Sequence, residues 1–518
     1  MNTGFGRLIF TSCFALNPAI GTAAPANSAI PMLSVADAPA ICEAMKGRQI
    51  GVASILNAEL ATTSGTEAKY CKVSALIGKA LNFEVHMPQE WNRRLLYIGG
   101  GGWDGSISMS LARTPPAEFA GYVRVASDGG HQGSFIDASW AINNPKAQID
   151  FAYLSVHTVL QATNPIVHAY YSEVPRFRYF EGCSNGGREG LISATRFPED
   201  FDGIIAGAPE YNWTALLRAF GRNAQRQAGT PLNPAQSRAI DQAVMSQCDK
   251  RDGVADGIVS NPAACNFDPG TLQCGKSAAP GECLTEAQVA TARTFYSEVR
   301  SRNGARVYPA FWPGGESEGW PFWLTGGGSM MPGDAVSPIG AQHTFYEGMV
   351  KYWLMADPSY EVWKFDFDEQ APAVRQAGLM LNAGSDLTAF FALGHKLILW
   401  HGASDWAISA QDSVDYFDAI AQSVGGASKR DESMEFYLAP SVQHCFGGSG
   451  ADTFSFTEPL TAWVERGTRP RATRQVARKL DAEGKTLFTR PLCAYPARLK
   501  YKGKGNVADA ASFECAQP

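Results

Sequence analysis

The run Gly182-Cys183-Ser184-Asn185-Gly186 sets a serine between two glycines in the pattern G-x-S-x-G. That pattern fits a sharp strand-to-helix turn, whose flanks approach too closely for a Cβ and which pushes the serine out at the helix start. A serine hydroxyl is a weak nucleophile, so it needs a base, and the base needs a third group to orient it. His444, in Ser441-Val442-Gln443-His444-Cys445, offers the base, and Asp405, in His401-Gly402-Ala403-Ser404-Asp405, offers the orienting carboxylate. His395 and His401 compete with His444. Asp386 and Asp412 compete with Asp405, which could also be a loop aspartate capping a helix near Ile408. The order Ser184, Asp405, His444 is that of α/β-hydrolases, and the chemistry it serves is acyl transfer.

Ser184 and His444 each have a cysteine beside them, Cys183 and Cys445. The chain has 11 cysteines, and losing Cys13 with an N-terminal segment leaves ten, enough for five disulfides in an oxidising compartment. Spacing suggests local pairs Cys42 with Cys71, Cys248 with Cys265, Cys274 with Cys283 and Cys493 with Cys515, which leaves Cys183 and Cys445 for one another. Bridged Cα atoms lie roughly 4.4 to 6.8 Å apart, so this last bond would hold serine and histidine together. Counting alone leaves buried free thiols in a cytosolic protein as the other reading.

The elements that must position these residues are short apolar runs ending in Gly, Asp or Ser, each followed by helix-like periodicity. Strands are expected at 82–87, 94–98, 122–126, 177–180, 203–206, 396–400 and 434–438, with a helix over 150–161. This alternation predicts an α/β fold with a mostly parallel sheet. Asp405 and His444 then follow successive strands, where partners of Ser184 belong. Between Tyr211 and Asp386 the rhythm breaks into sequence rich in Cys, Gly, Pro and Trp. The expected organisation is a hydrolase domain from residues 27–210 and 387–518 with a lid inserted at 211–386.

Composition narrows the class. Hydrophobic residues at 45% and charged residues at 18% fit a folded enzyme, and a net charge of -6 with scattered Lys and Arg argues against a nucleic-acid partner. Residues 1–26 carry one Arg, an apolar stretch from Leu8 to Leu16 and small residues around Ala23–Ala26, as a secretory signal does; an unprocessed tail is the other reading. No later run is apolar for about 18 residues, so no membrane span is expected. The expected location is secreted or periplasmic.

With Cys183, Ser184, Asp405, His444 and Cys445 in place, the chain resembles the tannase and feruloyl esterase family, marked by a Cys-Ser…Asp…His-Cys arrangement with the two cysteines bridged. Tannases, feruloyl esterases and bacterial mono(2-hydroxyethyl) terephthalate hydrolases are its members. The resemblance covers nearly the whole mature chain, and it implies an α/β-hydrolase core, a large lid and a lid calcium ion. It also implies that Gly99-Gly100-Gly101-Gly102-Trp103-Asp104-Gly105 is the oxyanion loop. One N–H donor is then Gly101 or Gly102, and the other is Asn185, the residue after the nucleophile. No phosphate-cradling pattern competes for that loop. Ser127-Asp128-Gly129-Gly130-His131 is expected to shape the same edge, with His131 structural or functional.

For calcium, the resemblance implies side-chain oxygens from Asp249, Asp252 and Asp256 and carbonyls from Val254 and Ile258. The spacing is not that of an EF-hand, and a pair of Asp-Gly turns is the alternative. His401 resembles a pocket residue of the family, Ile408 is expected beside it, and Phe345 is expected over the substrate ring. No counterpart of the lid arginine of terephthalate monoester hydrolases is found. The expected function is a serine esterase acting on small esters of aromatic carboxylic acids through an acyl-enzyme, with no membrane partner. The alternatives are a broad aryl esterase or acyltransferase, or a non-catalytic secreted binding protein on the same fold. The acid, the alcohol and the oligomeric state are not written in the sequence.

Overall fold

The computed structural model describes residues 32–62, 69–107, 111, 121–275, 283–329 and 337–517. The N-terminal stretch read as a signal lies outside the described residues. Eleven strands form the main sheet. In chain order they are β1 (Gln49–Ile50), β2 (Ala53–Thr62), β3 (Lys69–Ile77), β4 (Leu81–Pro88), β5 (Arg94–Ile98) and β6 (Tyr122–Ser127). There follow β7 (Phe177–Cys183), β8 (Gly203–Gly207), β9 (Lys396–Gly402), β10 (Met434–Ala439) and β11 (Cys493–Ala494). Across the sheet the order is β11-β10-β9-β8-β7-β5-β6-β4-β3-β2-β1. The strands from β6 to β10 run parallel, and β1 to β4 and β11 are antiparallel.

Every strand expected from the sequence is present. The sheet is also wider than expected, because the antiparallel strands β1, β2, β3 and β11 were not foreseen. The helix expected over 150–161 begins as a π-helical stretch, Asp150–Leu154, and continues as α1 (Ser155–Tyr171). The other helices that matter here are α2 (Asn185–Arg196), α3 (Trp213–Gly229), α4 (Pro234–Cys248), α5 (Glu316–Trp323), α6 (Ala341–Gly348), α7 (Ala410–Ser423) and α8 (Thr457–Arg466).

Alternation along the central strands distributes their side chains to two faces. Leu95, Tyr97, Phe180, Ile204, Leu397, Leu399 and Phe436 share a core with residues of α1, α2 and α7. Their neighbours Leu96, Ile98, Tyr179, Ile205, Ile398, Trp400 and Tyr437 pack with Phe456, Leu460 and Trp463 at α8. Helices on both faces bury the central strands almost entirely, which is why those strands read as unbroken apolar runs.

A third apolar cluster draws mainly on residues 213–381, including Trp213, Phe295, Trp320, Trp323, Phe345 and Tyr346. It also takes in Trp103, after β5, and Trp406, Ala407 and Ile408, after β9. The inserted segment therefore packs on loops that leave the carboxyl ends of the strands. Residues Met32–Pro518 form one compact unit.

Candidate active site

The backbone runs from β7 through Ser184 into α2, and Ser184 takes φ +64° and ψ -126°. A non-glycine residue in this region carries strain that the surroundings must hold. They do so at close quarters, since a Cβ on Gly182 would lie 2.5 Å from the Gly186 backbone. The Ser184 N–H donates to the Gly207 carbonyl at 2.9 Å, tying the turn to the neighbouring strand β8.

The three residues singled out by spacing meet in space. Ser184 Oγ lies 2.8 Å from His444 Nε2, and His444 Nδ1 lies 2.7 Å from Asp405 Oδ2. A carboxylate can only accept, so Nδ1 carries the proton and Nε2 faces the serine as acceptor. Asp405 Oδ1 accepts from the N–H groups of Ala407 at 2.7 Å and Ile408 at 2.9 Å. Burial alone would raise the Asp405 pKa, but His444 and His401 outweigh it and hold the carboxylate well below its ordinary range. The rival residues are engaged elsewhere. Asp386 caps Thr388, His395 bonds the Pro198 carbonyl, and Asp412 sits beside Tyr211.

Five disulfides join the cysteines in the expected pairs. Cys183 and Cys445, with Cα atoms 6.0 Å apart, connect the serine turn to the histidine loop across 262 residues.

The Gly-rich loop after β5 decides between its two candidate donors. Gly100 N–H donates to Glu189 Oε2 at 2.9 Å, and Gly101 N–H to Asp104 Oδ1 at 2.9 Å. Gly101 is thus occupied, a correction to its place among the oxyanion donors. Trp103 and Asp104 donate to Phe135 and Gly101 carbonyls. Gly102, at φ +59°, keeps an N–H with no acceptor among the described residues. Asn185 is the first residue of α2, where backbone N–H groups have no intrahelical acceptor.

His401 needs a second correction. It is fully buried, not a pocket wall. Its Nε2 lies 3.1 Å from the Ile408 carbonyl and 3.2 Å from Asp405 Oδ2, and its Nδ1 lies 2.7 Å from Ser413 Oγ. The carbonyl can only accept, so Nε2 carries the proton and Nδ1 accepts from Ser413. Ile408 is buried too, with its N–H on Asp405 and its side chain in the third apolar cluster. Phe345 belongs to that cluster, its ring 6.3 Å from Trp103 and 6.4 Å from Trp323. The aromatic ring that meets His444 is Trp323, edge-on at 5.3 Å. His131 is structural, because it bonds the Trp103 carbonyl at 2.7 Å, stacks on Trp140, and burial lowers its pKa to about 4.

Two neighbours of the triad were also not foreseen. Gln443 Nε2 donates to the Gly315 carbonyl at 2.8 Å and Trp406 Nε1 to the Gly314 carbonyl at 3.0 Å. The turn before α5 thus braces both the histidine loop and the aspartate loop.

In the loop 249–258 the carboxylates serve the loop itself. Asp249 accepts from the N–H groups of Asp256, Gly257 and Ile258, and Asp252 from Val254 and Ser260. Asp256 pairs with Arg490 at 2.6 Å. Burial and mutual repulsion raise Asp252 and Asp256. Among the described residues no set of three or more His, Cys, Asp or Glu side chains is gathered as a metal shell.

The family model for tannase and feruloyl esterase matches residues 68–516. The chain belongs to this family. It is a carboxylic ester hydrolase, the class its relatives share. The mono(2-hydroxyethyl) terephthalate hydrolase of Piscinibacter sakaiensis is 32% identical, the alignment covering 92% of each chain. The probable feruloyl esterase B-2 of Aspergillus terreus is 30% identical over 88% of each. Among solved structures, feruloyl esterase B from Aspergillus oryzae superposes with a TM-score of 0.82 at 24% identity, covering 92% of this chain and all of that one. Tannin acyl hydrolase from Aspergillus niger superposes at 0.72 with 21% identity, covering 93% and 95%. These two likenesses bear on the fold, which is the α/β-hydrolase type.

Proposed function

We propose that this protein is an exported serine esterase that hydrolyses small esters of aromatic carboxylic acids through an acyl-enzyme on Ser184. The observation that carries the reading is the unbroken chain Ser184 Oγ, His444, Asp405, at 2.8 Å and 2.7 Å. His444 Nε2 takes the serine proton as Oγ attacks the ester carbonyl. The N–H groups of Gly102 and Asn185 receive the oxyanion, His444 returns its proton to the departing alcohol, and water repeats the sequence to release the acid. Asp405, held ionised, stabilises the imidazolium formed in each half-reaction.

An aromatic acyl group suits the surroundings of His444, where Trp323 stands against the ring and Phe345 and Trp103 lie behind it. The relatives named for feruloyl and terephthalate esters support the same class. Export is supported by five disulfides, which persist in oxidising compartments. No helix among the described residues is long and apolar enough to cross a membrane.

Residues 211–386 act as the lid that forms the acyl pocket. Within them the loop 249–258 fits a structural calcium ion by its chemistry. Its carboxylates Asp249, Asp252 and Asp256 repel one another, and the carbonyls of Val254 and Ile258 would add neutral oxygens to the set. Bound there, the ion would relieve that repulsion.

Hydrolysis of methyl gallate, methyl ferulate, mono(2-hydroxyethyl) terephthalate and p-nitrophenyl acetate tests the reading, with wild type beside Ser184→Ala. Turnover of an aromatic ester that vanishes in the variant is expected. Preference for the acetate alone would favour a broad esterase, and no turnover by folded, oxidised protein would sink the proposal in favour of a binding protein.

A further inference from the structure

Two carboxyl groups meet under the oxyanion loop. Asp104 stands in the loop at φ +57°, and Glu189 lies on α2, five residues past the nucleophile. Both are buried, and they take the N–H groups of adjacent residues of the loop, Gly100 and Gly101. Asp104 Oδ1 accepts from Gly101 N–H and from Asn185 Nδ2, each at 2.9 Å, while Glu189 Oε2 accepts from Gly100 N–H at 2.9 Å. The pair therefore grips both strands of the problem, the loop that carries Gly102 and the residue that carries the other oxyanion donor. Packing is tight enough that a Cβ on Gly100 would overlap Asp104 and one on Gly186 would meet the Gly100 carbonyl.

The charges around the pair do not balance if both acids ionise. Arg188, fully buried on α2, is the cation that faces them, and it faces Glu210 as well. From the strand side come Tyr97 and Asp128, which add no positive charge. Asp104 Oδ2 and Glu210 Oε1 are buried without a donor among the described residues. With both acids ionised, two buried carboxylates would stand together while the Arg188 guanidinium bonds Asn185, Ala152, Leu381 and Phe151 instead of either, whereas one proton held between them removes that repulsion.

We propose that Asp104 and Glu189 hold one proton between them and, as a hydrogen-bonded acid pair, clamp the Gly99–Gly102 loop against α2, so that Asp104 is a positioning residue for both oxyanion donors. This rests on the serine-esterase reading and deepens it. The direction of the Asp104 shift agrees: burial first, then the Glu189 charge, push its pKa far above the carboxylate range. Loss of the shared proton at alkaline pH sets two charges against each other and loosens the loop.

Asp104→Asn keeps the hydrogen bonds, its amide oxygen accepting from Gly101 and Asn185 and its amide nitrogen donating to Glu189. Asp104→Leu keeps none. With the best ester of the panel, Asp104→Asn is expected to hold kcat within about threefold of wild type, and Asp104→Leu to lose about 100-fold in kcat with KM nearly unchanged, the scale of a lost oxyanion donor. Asp104→Asn, with no proton to lose, should also keep its kcat to higher pH than wild type. Wild-type kcat in a folded Asp104→Leu, or an Asp104→Asn that is inactive or falls off at the same alkaline pH as wild type, overturns the proposal. If Asp104→Leu does not fold, the Asp104→Asn pH profile decides alone. Wild type that hydrolyses no ester fails the esterase reading instead, and Ser184→Ala keeps the two failures apart.

Discussion

His401 Nε2 lies 3.2 Å from the same Asp405 oxygen that receives His444, reaching it from within the protein. The carboxylate thus answers to two imidazoles, one that faces Ser184 Oγ and one that never reaches solvent. Ser413 and the Ile408 carbonyl fix the inner ring, so Asp405 cannot turn without breaking a buried set of bonds.

Replacing His401 by Ala should therefore lower kcat by about tenfold through loss of orientation, with KM little changed, while His401→Gln, which can still donate to Asp405, recovers most of the rate. Steady-state kinetics on the three proteins checks this. Equal kcat in all three would mean that the inner histidine only fills space.

The bridge between Cys183 and Cys445 should matter to rate and stability together. Replacing both cysteines by Ser is expected to remove roughly 2–5 kcal/mol of stability, the range for a long closed loop. It should also lower kcat at temperatures where the variant is still folded. Thermal melts and assays on the same samples separate the two effects.

Glu316 gives a pH signature independent of catalysis. It is fully buried at the start of α5, accepts from Tyr296 and Gly314, and burial followed by the Asp241 charge pushes its pKa up to about 8. The folded state then holds a proton that the unfolded chain has released, so this residue's contribution to stability declines as pH rises from the ordinary glutamate range to about 8. Glu316→Gln should melt at least roughly 2 °C higher than wild type at pH 8, with the gap closing toward pH 4. A gap of the same size at both ends would contradict the assignment.

Calcium is expected to raise the melting temperature and a chelator to lower it, because an ion that binds only the folded loop stabilises by mass action. Asp249→Asn should remove the difference between the two conditions. Melts that ignore calcium in the wild type would leave the loop to its Asp-Gly turns.

Much of this site could be read from the chain because the parallel strands are short, apolar and followed by the residues they present. Asp405 and His444 follow β9 and β10 as the spacing requires. The strand β2 was hidden by composition. Ala-Ser-Ile-Leu-Asn-Ala-Glu-Leu-Ala-Thr is rich in helix formers, and pairing with β3 along its length, with β1 at its start, draws it into the sheet. His401 was misread although a signal was present. Two-residue alternation puts it on the same face of β9 as Leu397 and Leu399, toward α7, where Ser413 waits. Glu189 left no such trace, since nothing local tells that a glutamate on α2 meets a loop 89 residues earlier.

The disulfide that joins the serine turn to the histidine loop also sets an order of events during synthesis. Cys183 emerges 262 residues ahead of Cys445, and Cys248, Cys265, Cys274 and Cys283 all emerge between them and pair among themselves. The native partner of Cys183 is thus the last of these six cysteines to emerge. A nascent chain therefore carries Ser184 for 262 residues before the loop that places His444 beside it can be tied on.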